Sequence, residues 1–165
     1  MKRRLAAIVA ADVVGYSRLI RADEERTLLA LRAILGNIFK PTIDRYDGRI
    51  VKLMGDGILL EFNSAVDAVA CSTDVQRRLA ERGLDESDVV FRFGINLGDV
   101  VIDGDDIQGD GVNVASRLEA LSEPGGICIS DSVYEQVRGR LNLHFEDAGA
   151  EDRSSKEIYC GDAQR

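Results

Sequence analysis

The chain has 165 residues, 45% of them apolar and 30% charged, which fits one globular domain and excludes a disordered, collagen-like or low-complexity chain. Its 21 basic and 29 acidic residues give a net charge of −8, the reverse of the basic footprint of a duplex-binding protein, so we predict no nucleic-acid partner. The longest apolar run, Leu5 to Ala11, is too short to cross a membrane, and no cleavage motif follows it, so we expect no membrane span, no signal peptide and a cytoplasmic location.

The spacing of apolar and turn residues predicts strands and helices in the order β-α-α-β-β-α-β-β-α-β-α-β-β. Because helices interrupt pairs of strands, we predict an α+β fold, with a ferredoxin-like βαββαβ core, a largely antiparallel sheet and extra C-terminal strands. The predicted strands cover residues 5–11, 49–54, 58–62, 89–95, 99–102, 127–129, 143–145 and 157–160. The predicted helices begin near residues 13, 23, 64, 112 and 130.

Glycine, proline and acidic residues predict the breaks between these elements. Pro41 is expected to kink or end the long second helix, because proline lacks the N–H group that the helix needs. Gly55-Asp56-Gly57 predicts a tight hairpin, and Asn96-Leu97-Gly98 predicts a second turn. The acidic, glycine-rich stretch 104–111 is expected to be a loop.

The cysteine and histidine counts narrow the chemistry. Cys71, Cys128 and Cys160 are widely spaced and form no CxxC pair, so we predict reduced thiols, with neither a zinc site nor a disulfide. His144 is the single histidine, which leaves little material for paired-histidine or Ser-His-Asp chemistry. Carboxylates are abundant, and metal-assisted chemistry with oxygen ligands therefore stays open.

Two aspartates lie where predicted strands end. Asp12 closes the first apolar strand, directly before a glycine and a helix start, where it could bind a divalent cation or simply cap the helix. Asp56 lies in the hairpin turn, where aspartate is also ordinary turn chemistry. If the two strands are neighbours, the pair would form a site for two cations that assist an in-line phosphoryl displacement.

Three further polar residues have two readings each. Lys52 is expected to share one face of an otherwise apolar strand with Ile50 and Met54, and it either snorkels from an edge strand or points into a pocket. Asn113 and Arg117 are four residues apart on a predicted helix and therefore lie on one face, beside its inward stripe. They form either an ordinary polar face or a pair that orients a ribose and clamps phosphate oxygens.

These residues fall within three motifs. The motifs are Ala11-Asp12-Val13-Val14-Gly15-Tyr16-Ser17, Lys52-Leu53-Met54-Gly55-Asp56-Gly57 and Asp106-Ile107-Gln108-Gly109-Asp110-Gly111-Val112-Asn113-Val114-Ala115-Ser116-Arg117-Leu118. In this order and spacing they resemble the class III nucleotidyl cyclase catalytic domain, from about residue 5 to about residue 147. The resemblance is nearest to bacterial cyclases in which this domain opens the chain and other domains follow. It implies a catalytic domain over residues 1–160, with 161–165 as a frayed tail or the boundary to regulatory domains of a longer protein.

The resemblance implies a metal and triphosphate site. Asp12 and Asp56 match the two metal-binding aspartates, and the Val13 carbonyl matches a further ligand, so two Mg²⁺ or Mn²⁺ ions are the expected cofactors. The residues implied to contact the triphosphate are Val14, Gly15, Tyr16 and a basic residue before the last strand, either Arg153 or Lys156.

The resemblance also implies a base, a ribose and a dimer. Lys52 and Asp106 match the pair that reads the purine, and a lysine with an aspartate suits adenine, so ATP is the expected substrate. Asn113 matches the ribose-orienting asparagine, and Arg117 matches the arginine that stabilises charge on the α-phosphate. In the family the metal aspartates and these four residues come from different subunits, which implies an adenylate cyclase active as a homodimer with its sites at the interface.

Three alternatives remain at this point. A diguanylate cyclase or polymerase-like palm would carry a Gly-Gly-Asp/Glu-Glu-Phe hairpin, whereas this chain has Met54-Gly55-Asp56-Gly57-Ile58. A non-catalytic nucleotide-binding or dimerisation module would be expected to have lost a metal aspartate or the arginine. A cyclase with guanine or pyrimidine preference is disfavoured by Lys52 and Asp106.

Overall fold

The computed structural model describes residues 2–82, 89–149 and 158–162. The strands are β1 Lys2–Val13, β2 Arg49–Met54, β3 Gly57–Phe62, β4 Phe91–Asp103, β5 Asp106–Gln108, β6 Gly126–Ser130, β7 Glu146–Gly149 and β8 Ile158–Asp162. The helices are α1 Tyr16–Ala22, α2 Glu24–Ile34, a π-helical turn Leu35–Phe39, α3 Lys40–Arg45, α4 Ala65–Glu81, α5 Asp110–Leu121 and α6 Asp131–Val137.

The strands form one sheet in the order β2-β3-β1-β4-β6-β8-β7, with β5 paired to β4 beside this path. Neighbours within the β2-β3-β1-β4 part are all antiparallel, which is the arrangement of a ferredoxin-like βαββαβ core. β4 pairs in parallel with β6, and β6 and β7 each pair antiparallel with β8. The predicted α+β fold with a largely antiparallel sheet and extra C-terminal strands is confirmed.

The sheet separates two unequal layers of helices. Helices α2, α3, α4 and α6 pack on one face, where alternate residues of β1 such as Val9 meet buried Phe39 and Val69. α5 packs on the opposite face, where Ile8 and its alternate neighbours in β1 meet Ala115. Because successive strand residues point to opposite faces, the apolar run of β1 supplies both layers.

α5 lies very close to β4, and this closeness depends on Gly94. A Cβ atom at this position would collide with the backbone of α5 at Ala115 and Glu119. Glycine therefore allows the helix backbone to lie directly against the strand, and it fixes the height of α5 above the sheet.

Serine side chains cap two of the helices at their predicted starts. Ser64 accepts a hydrogen bond from the Asp67 N–H at 3.0 Å, and Ser130 caps α6 in the same way.

Pro41 was expected to kink or end the long helix, but the chain stays helical to Arg45. The irregularity is the π-helical turn directly before Pro41, which accommodates a residue that cannot donate a backbone hydrogen bond.

Two predictions about β4 and β5 were wrong. The expected turn at 96–98 does not exist, because β4 runs through it while paired with β1 from Phe91 to Ile102. The expected loop at 104–111 contains β5, which pairs back onto β4 through Ile107 opposite Ile102. The turn therefore lies between Asp103 and Asp106, three residues of the stretch are strand, and α5 begins within it at Asp110.

The C-terminal part also differs from expectation. β7 begins at Glu146, so residues 143–145 precede the strand that was assigned to them. Gly161 and Asp162 belong to β8 and pair with β6, so they are strand residues and not the start of a frayed tail. In the described part of the chain, no helix has the length and apolarity needed to cross a bilayer.

The prediction of three reduced thiols was wrong for two of them. Cys128 and Cys160 lie directly opposite each other in β6 and β8, with Cα atoms 4.2 Å apart, and form a disulfide. Pairing depends on strand register, which residue spacing does not reveal. Cys71 is the free, buried thiol, and burial raises its pKa to about 12.

Candidate functional site

The sheet brings Asp12 and Asp56 together. Asp12 lies opposite Gly57 in the β1–β3 register, and the Val13 N–H donates to the Asp56 carbonyl at 3.2 Å. Asp12 does not cap α1, since the N-cap residue is Gly15 and no side chain caps that helix end. Asp12 is therefore left with its carboxylate beside the hairpin turn, as the metal reading requires.

A third carboxyl group, missed by the sequence analysis, joins this pair. Glu119 on α5 is 8% exposed, and its Oε1 atom has no hydrogen-bond partner among the described residues. Burial, then the hydrogen bond and negative charge of Asp12, raise the pKa of Glu119 to about 8, and the charge of Asp56 acts in the same direction. Burial and the neighbouring carboxylates therefore favour the protonated form of Glu119 when no cation is bound. A glutamate in an amphipathic helix gives no signal of this kind in the sequence.

One cation lies near these acids and was also missed. Arg92 on β4 pairs directly opposite Asp12, and its charge lowers the pKa of Glu119. Its buried Nε atom has no hydrogen-bond partner in the part of the chain that the structure describes. An arginine between the apolar residues of a central strand was the available signal, the same kind that singled out Lys52.

The donor set fits divalent cations that also bind a nucleotide. Within residues 2–82, 89–149 and 158–162, no three His, Cys, Asp or Glu side chains form a group that could hold an ion. Mg²⁺ commonly takes one or two protein carboxylates and completes its shell with water and substrate phosphates. Asp12 and Asp56, with their excess negative charge next to protonated Glu119, match that requirement.

The segment expected to contact the triphosphate is the turn between β1 and α1. Gly15 has φ +66°, a left-handed conformation that favours glycine, and this conformation lets the chain turn directly from the strand into the helix. The Val14 N–H already donates to the Val90 carbonyl at 2.8 Å, so within this segment Gly15 and Tyr16 remain to face a phosphate. Arg153 and Lys156 lie outside the described residues.

Lys52 and Asp106 are in direct contact. The Lys52 Nζ atom lies 3.0 Å from Oδ1 and 3.1 Å from Oδ2 of Asp106, with both side chains about one-third exposed. The expectation that Lys52 shares a face with Ile50 was wrong. A bulge at Val51 places Ile50 opposite Leu60 and Lys52 opposite Leu59, on the other face of the sheet.

Asp106 is held by several donors at once. Its carboxylate accepts from the Ile107 N–H at 2.8 Å and from the Gln108 amide at 3.4 Å, in addition to Lys52. The hydrogen bond from Lys52, more than any other contact, lowers the pKa of Asp106 below its ordinary value. The carboxylate is therefore ionised and fixed as an acceptor.

Asn113 and Arg117 lie where the sequence placed them. Both are exposed on α5, away from the buried Ala115 and Leu118 that face the sheet. α5 thus presents an amide and a guanidinium to the outside, one turn apart. The structure brings together Asp12 with Asp56 and Lys52 with Asp106, while Asn113 and Arg117 form a third, outward-facing group.

Comparisons with known proteins find a family model and relatives that match most of the chain. Residues 3–157 match a family model described as the adenylate and guanylate cyclase catalytic domain. A Rhizobium meliloti protein named as an adenylate cyclase is 47% identical over 152 residues, which is 90% of this chain and 26% of that protein. A Streptomyces coelicolor adenylate cyclase is 30% identical, over 83% of this chain and 35% of its own length. The chain therefore spans about a quarter to a third of these relatives.

Solved structures give the same result for the fold. A crystal structure from Silicibacter pomeroyi, titled adenylate/guanylate cyclase/hydrolase, superposes with a TM-score of 0.90 at 38% identity, over 98% of both chains. The adenylyl cyclase CyaB from P. aeruginosa superposes with a TM-score of 0.75 at 25% identity, over 97% of this chain and 94% of that one.

Proposed function

Because the chain belongs to the adenylate and guanylate cyclase catalytic domain family, we propose that it is an adenylate cyclase, which converts ATP to 3′,5′-cyclic AMP and pyrophosphate. The observation that carries the choice of ATP is the paired Lys52 and Asp106. The names of the R. meliloti and S. coelicolor relatives support the same activity.

Base selection follows from the hydrogen-bonding pattern of the pair. The Lys52 ammonium can donate to the N1 acceptor of adenine, and the ionised Asp106 can accept from the 6-amino group. Guanine presents the opposite pattern, a carbonyl oxygen and an N1–H, and would leave both side chains mismatched. A polar mismatch of this kind, once the bound base covers the pair, discriminates between substrates.

Asp12, Asp56 and the Val13 carbonyl would hold two divalent cations. When bound, such ions lower the pKa of the ribose 3′-hydroxyl and neutralise the triphosphate. Arg92, opposite Asp12, adds a fixed positive charge on the same side of the sheet. The backbone at Gly15 and Tyr16 lies directly after these ligands and faces the β- and γ-phosphates.

The remaining residues orient the nucleotide and stabilise charge. Asn113 holds the ribose so that the 3′-oxygen lies in line with the α-phosphorus. The new 3′-O–P bond forms as the P–O bond to the β-phosphate breaks, the hydroxyl proton leaves to solvent, and pyrophosphate departs. Arg117 donates to the α-phosphate oxygens as negative charge develops there, which is electrostatic stabilisation by a preorganised donor.

The site is completed by a second copy of the chain. In each site, one subunit contributes Asp12 and Asp56. The other subunit contributes the residues for the base, the ribose and the α-phosphate, which are Lys52, Asp106, Asn113 and Arg117. A symmetric homodimer then has two complete sites, and a monomer has none. A rotation of one subunit against the other would switch both sites at once.

Product analysis tests the activity. Purified protein with Mn²⁺ or Mg²⁺ is expected to turn ATP into 3′,5′-cyclic AMP and pyrophosphate, and Asp56→Ala is expected to abolish this. Asp44→Ala, which removes an exposed carboxylate on α3, is the matched control and should remain active. Equal turnover of GTP would contradict the proposed specificity for adenine. The absence of a cyclic product from every nucleotide tested would contradict the proposed cyclase activity.

Subunit mixing tests the shared site. Asp56→Ala and Arg117→Ala are each expected to be inactive alone, and their mixture should recover activity, because a mixed dimer contains one intact site. A mixture that stays inactive although the two chains exchange, or an active monomer by light scattering, would contradict the shared site.

A further inference from the structure

The bulge at Val51 puts two cations of β2, Arg49 and Lys52, on the same face of the sheet. Arg49 lies opposite Glu61 and Lys52 lies opposite Leu59, so both side chains point to the face of the sheet that carries α5. Without the extra residue, positions three apart on a strand would face opposite sides. The bulge therefore directs two cations of β2 to the same neighbour, the turn between β4 and β5.

Arg49 contacts that turn through the backbone. Its Nη1 donates to the Asp105 carbonyl at 2.9 Å, while its Nε donates to Glu61 Oε1 at 2.8 Å. Glu61 is 6% exposed, so one end of this bridge is anchored inside the sheet. The other end holds the residue directly before Asp106.

Glu61 has a second arginine partner that does not contact the turn. Arg4 on β1 donates to the same Oε1 atom at 3.1 Å. Its side chain is 43% exposed, close to the 41% of Arg49. The two arginines therefore share one buried carboxylate and a similar exposure. Arg4 also pairs with Oε2 of Glu61, whereas Arg49 makes its second bond to the Asp105 carbonyl.

We propose that Arg49 is a positioning residue for base selection: by bridging Glu61 and the Asp105 carbonyl, it holds the β4–β5 turn so that Asp106 stays against Lys52 in the adenine-reading geometry. The inference rests on the proposed function, because base reading is its consequence. The bridge needs the fork of a guanidinium, since a lysine ammonium cannot span a carboxylate and a carbonyl in fixed directions.

Steady-state kinetics test the role. Arg49→Ala is expected to raise the KM for ATP roughly tenfold and to leave kcat within about twofold, because the lost interaction places a binding group and touches no reacting atom. The preference for ATP over GTP in kcat/KM should fall by a similar factor. Arg49→Lys, which keeps a charge beside Glu61, should show the same loss of preference.

Arg4→Ala is the matched control. It removes one arginine from the same buried carboxylate, so any general weakening of β1 and β3 should appear in both variants. Its KM for ATP and its ATP preference are expected to stay within about twofold of the wild type. If Arg4→Ala and Arg49→Ala change the preference equally, the effect belongs to Glu61 and the proposal is overturned.

Amide hydrogen exchange separates this proposal from the proposed function. In the nucleotide-free protein the Ile107 amide, which donates to the Asp106 carboxylate, should exchange faster in Arg49→Ala than in Arg4→Ala or the wild type. Equal exchange in all three would overturn the positioning role. An inactive wild type with this exchange difference would overturn the cyclase proposal and leave Arg49 as the residue that holds the turn.

Discussion

Two charged regions of the same sheet are built in opposite ways. At the end of β1, burial and the negative charges of Asp12 and Asp56 raise the pKa of Glu119, and the charge of Arg92 opposes this rise. At the β4–β5 turn, by contrast, Lys52 and Asp106 already form an ion pair with each other.

The difference indicates what each region is suited to receive. An excess of carboxylates is relieved by divalent cations, so the first region depends on ligands for its charge balance. A pair that is already balanced offers a donor and an acceptor to a neutral base without a further change in net charge. Charge balance thus distinguishes the two half-sites that the proposed function assigns to one subunit, one for metal and phosphate and one for the base.

The largest effect is expected from removing a charge in the first region. Asp12→Asn should lower cyclic AMP formation by about a hundredfold or more, since it removes one of the two carboxylates proposed to hold the cations. The same variant should lose the rise in Tm that Mn²⁺ gives the wild type. Asp44→Asn is the control in both assays, and an unchanged rate in Asp12→Asn would show that the excess charge has another purpose.

A smaller effect is expected from breaking the balanced pair. Lys52→Gln should lower kcat/KM for ATP roughly 10–100-fold, the size of one hydrogen bond to a charged group, and should lower that for GTP less. The physical reason is that the ammonium matches the N1 acceptor of adenine and not the N1–H of guanine. Comparing both nucleotides on one protein preparation checks this, and an equal fall for the two would contradict base reading by this pair.

The smallest effect concerns stability and pH. The pKa of Glu119 is about 8 in the folded state and 4.5 ordinarily. Between pH 4.5 and pH 8 the folded protein therefore keeps a proton on Glu119 that the unfolded chain has lost. Stability in a chelator should therefore fall as pH rises through this range. In Glu119→Gln the fall should be flatter. Thermal unfolding from pH 5 to 8.5 measures both, and parallel curves would refute the assignment.

Local patterns were sufficient for much of the fold and for half of the site. The helices predicted to begin near residues 64 and 130 do begin there, capped by Ser64 and Ser130, because capping depends on residues three positions apart. Asp12 and Asp56 could be paired because a strand end and a hairpin turn are both visible in sequence. Their approach then follows from the order of strands in a ferredoxin-like core.

The features that were missed depend on register and on contacts between distant elements. The bulge at Val51 moves the Lys52 side chain to the opposite face of the sheet from the predicted one. No residue type in the sequence indicates that a strand contains an extra residue. The charge state of Glu119 depends on how closely α5 approaches β4 over Gly94, which helix periodicity does not contain. β5 is a strand because β4 extends beside it, although its own three residues carry no strand pattern.

The Cys128–Cys160 disulfide closes a covalent ring of chain around α6 and β7. A protease that cuts a peptide bond anywhere inside this ring leaves both fragments attached through the sulfur bridge. The nicked molecule would run as a full-length band on a denaturing gel until a thiol reagent separates its pieces. β8 therefore stays joined to β6 even when the polypeptide between them is broken.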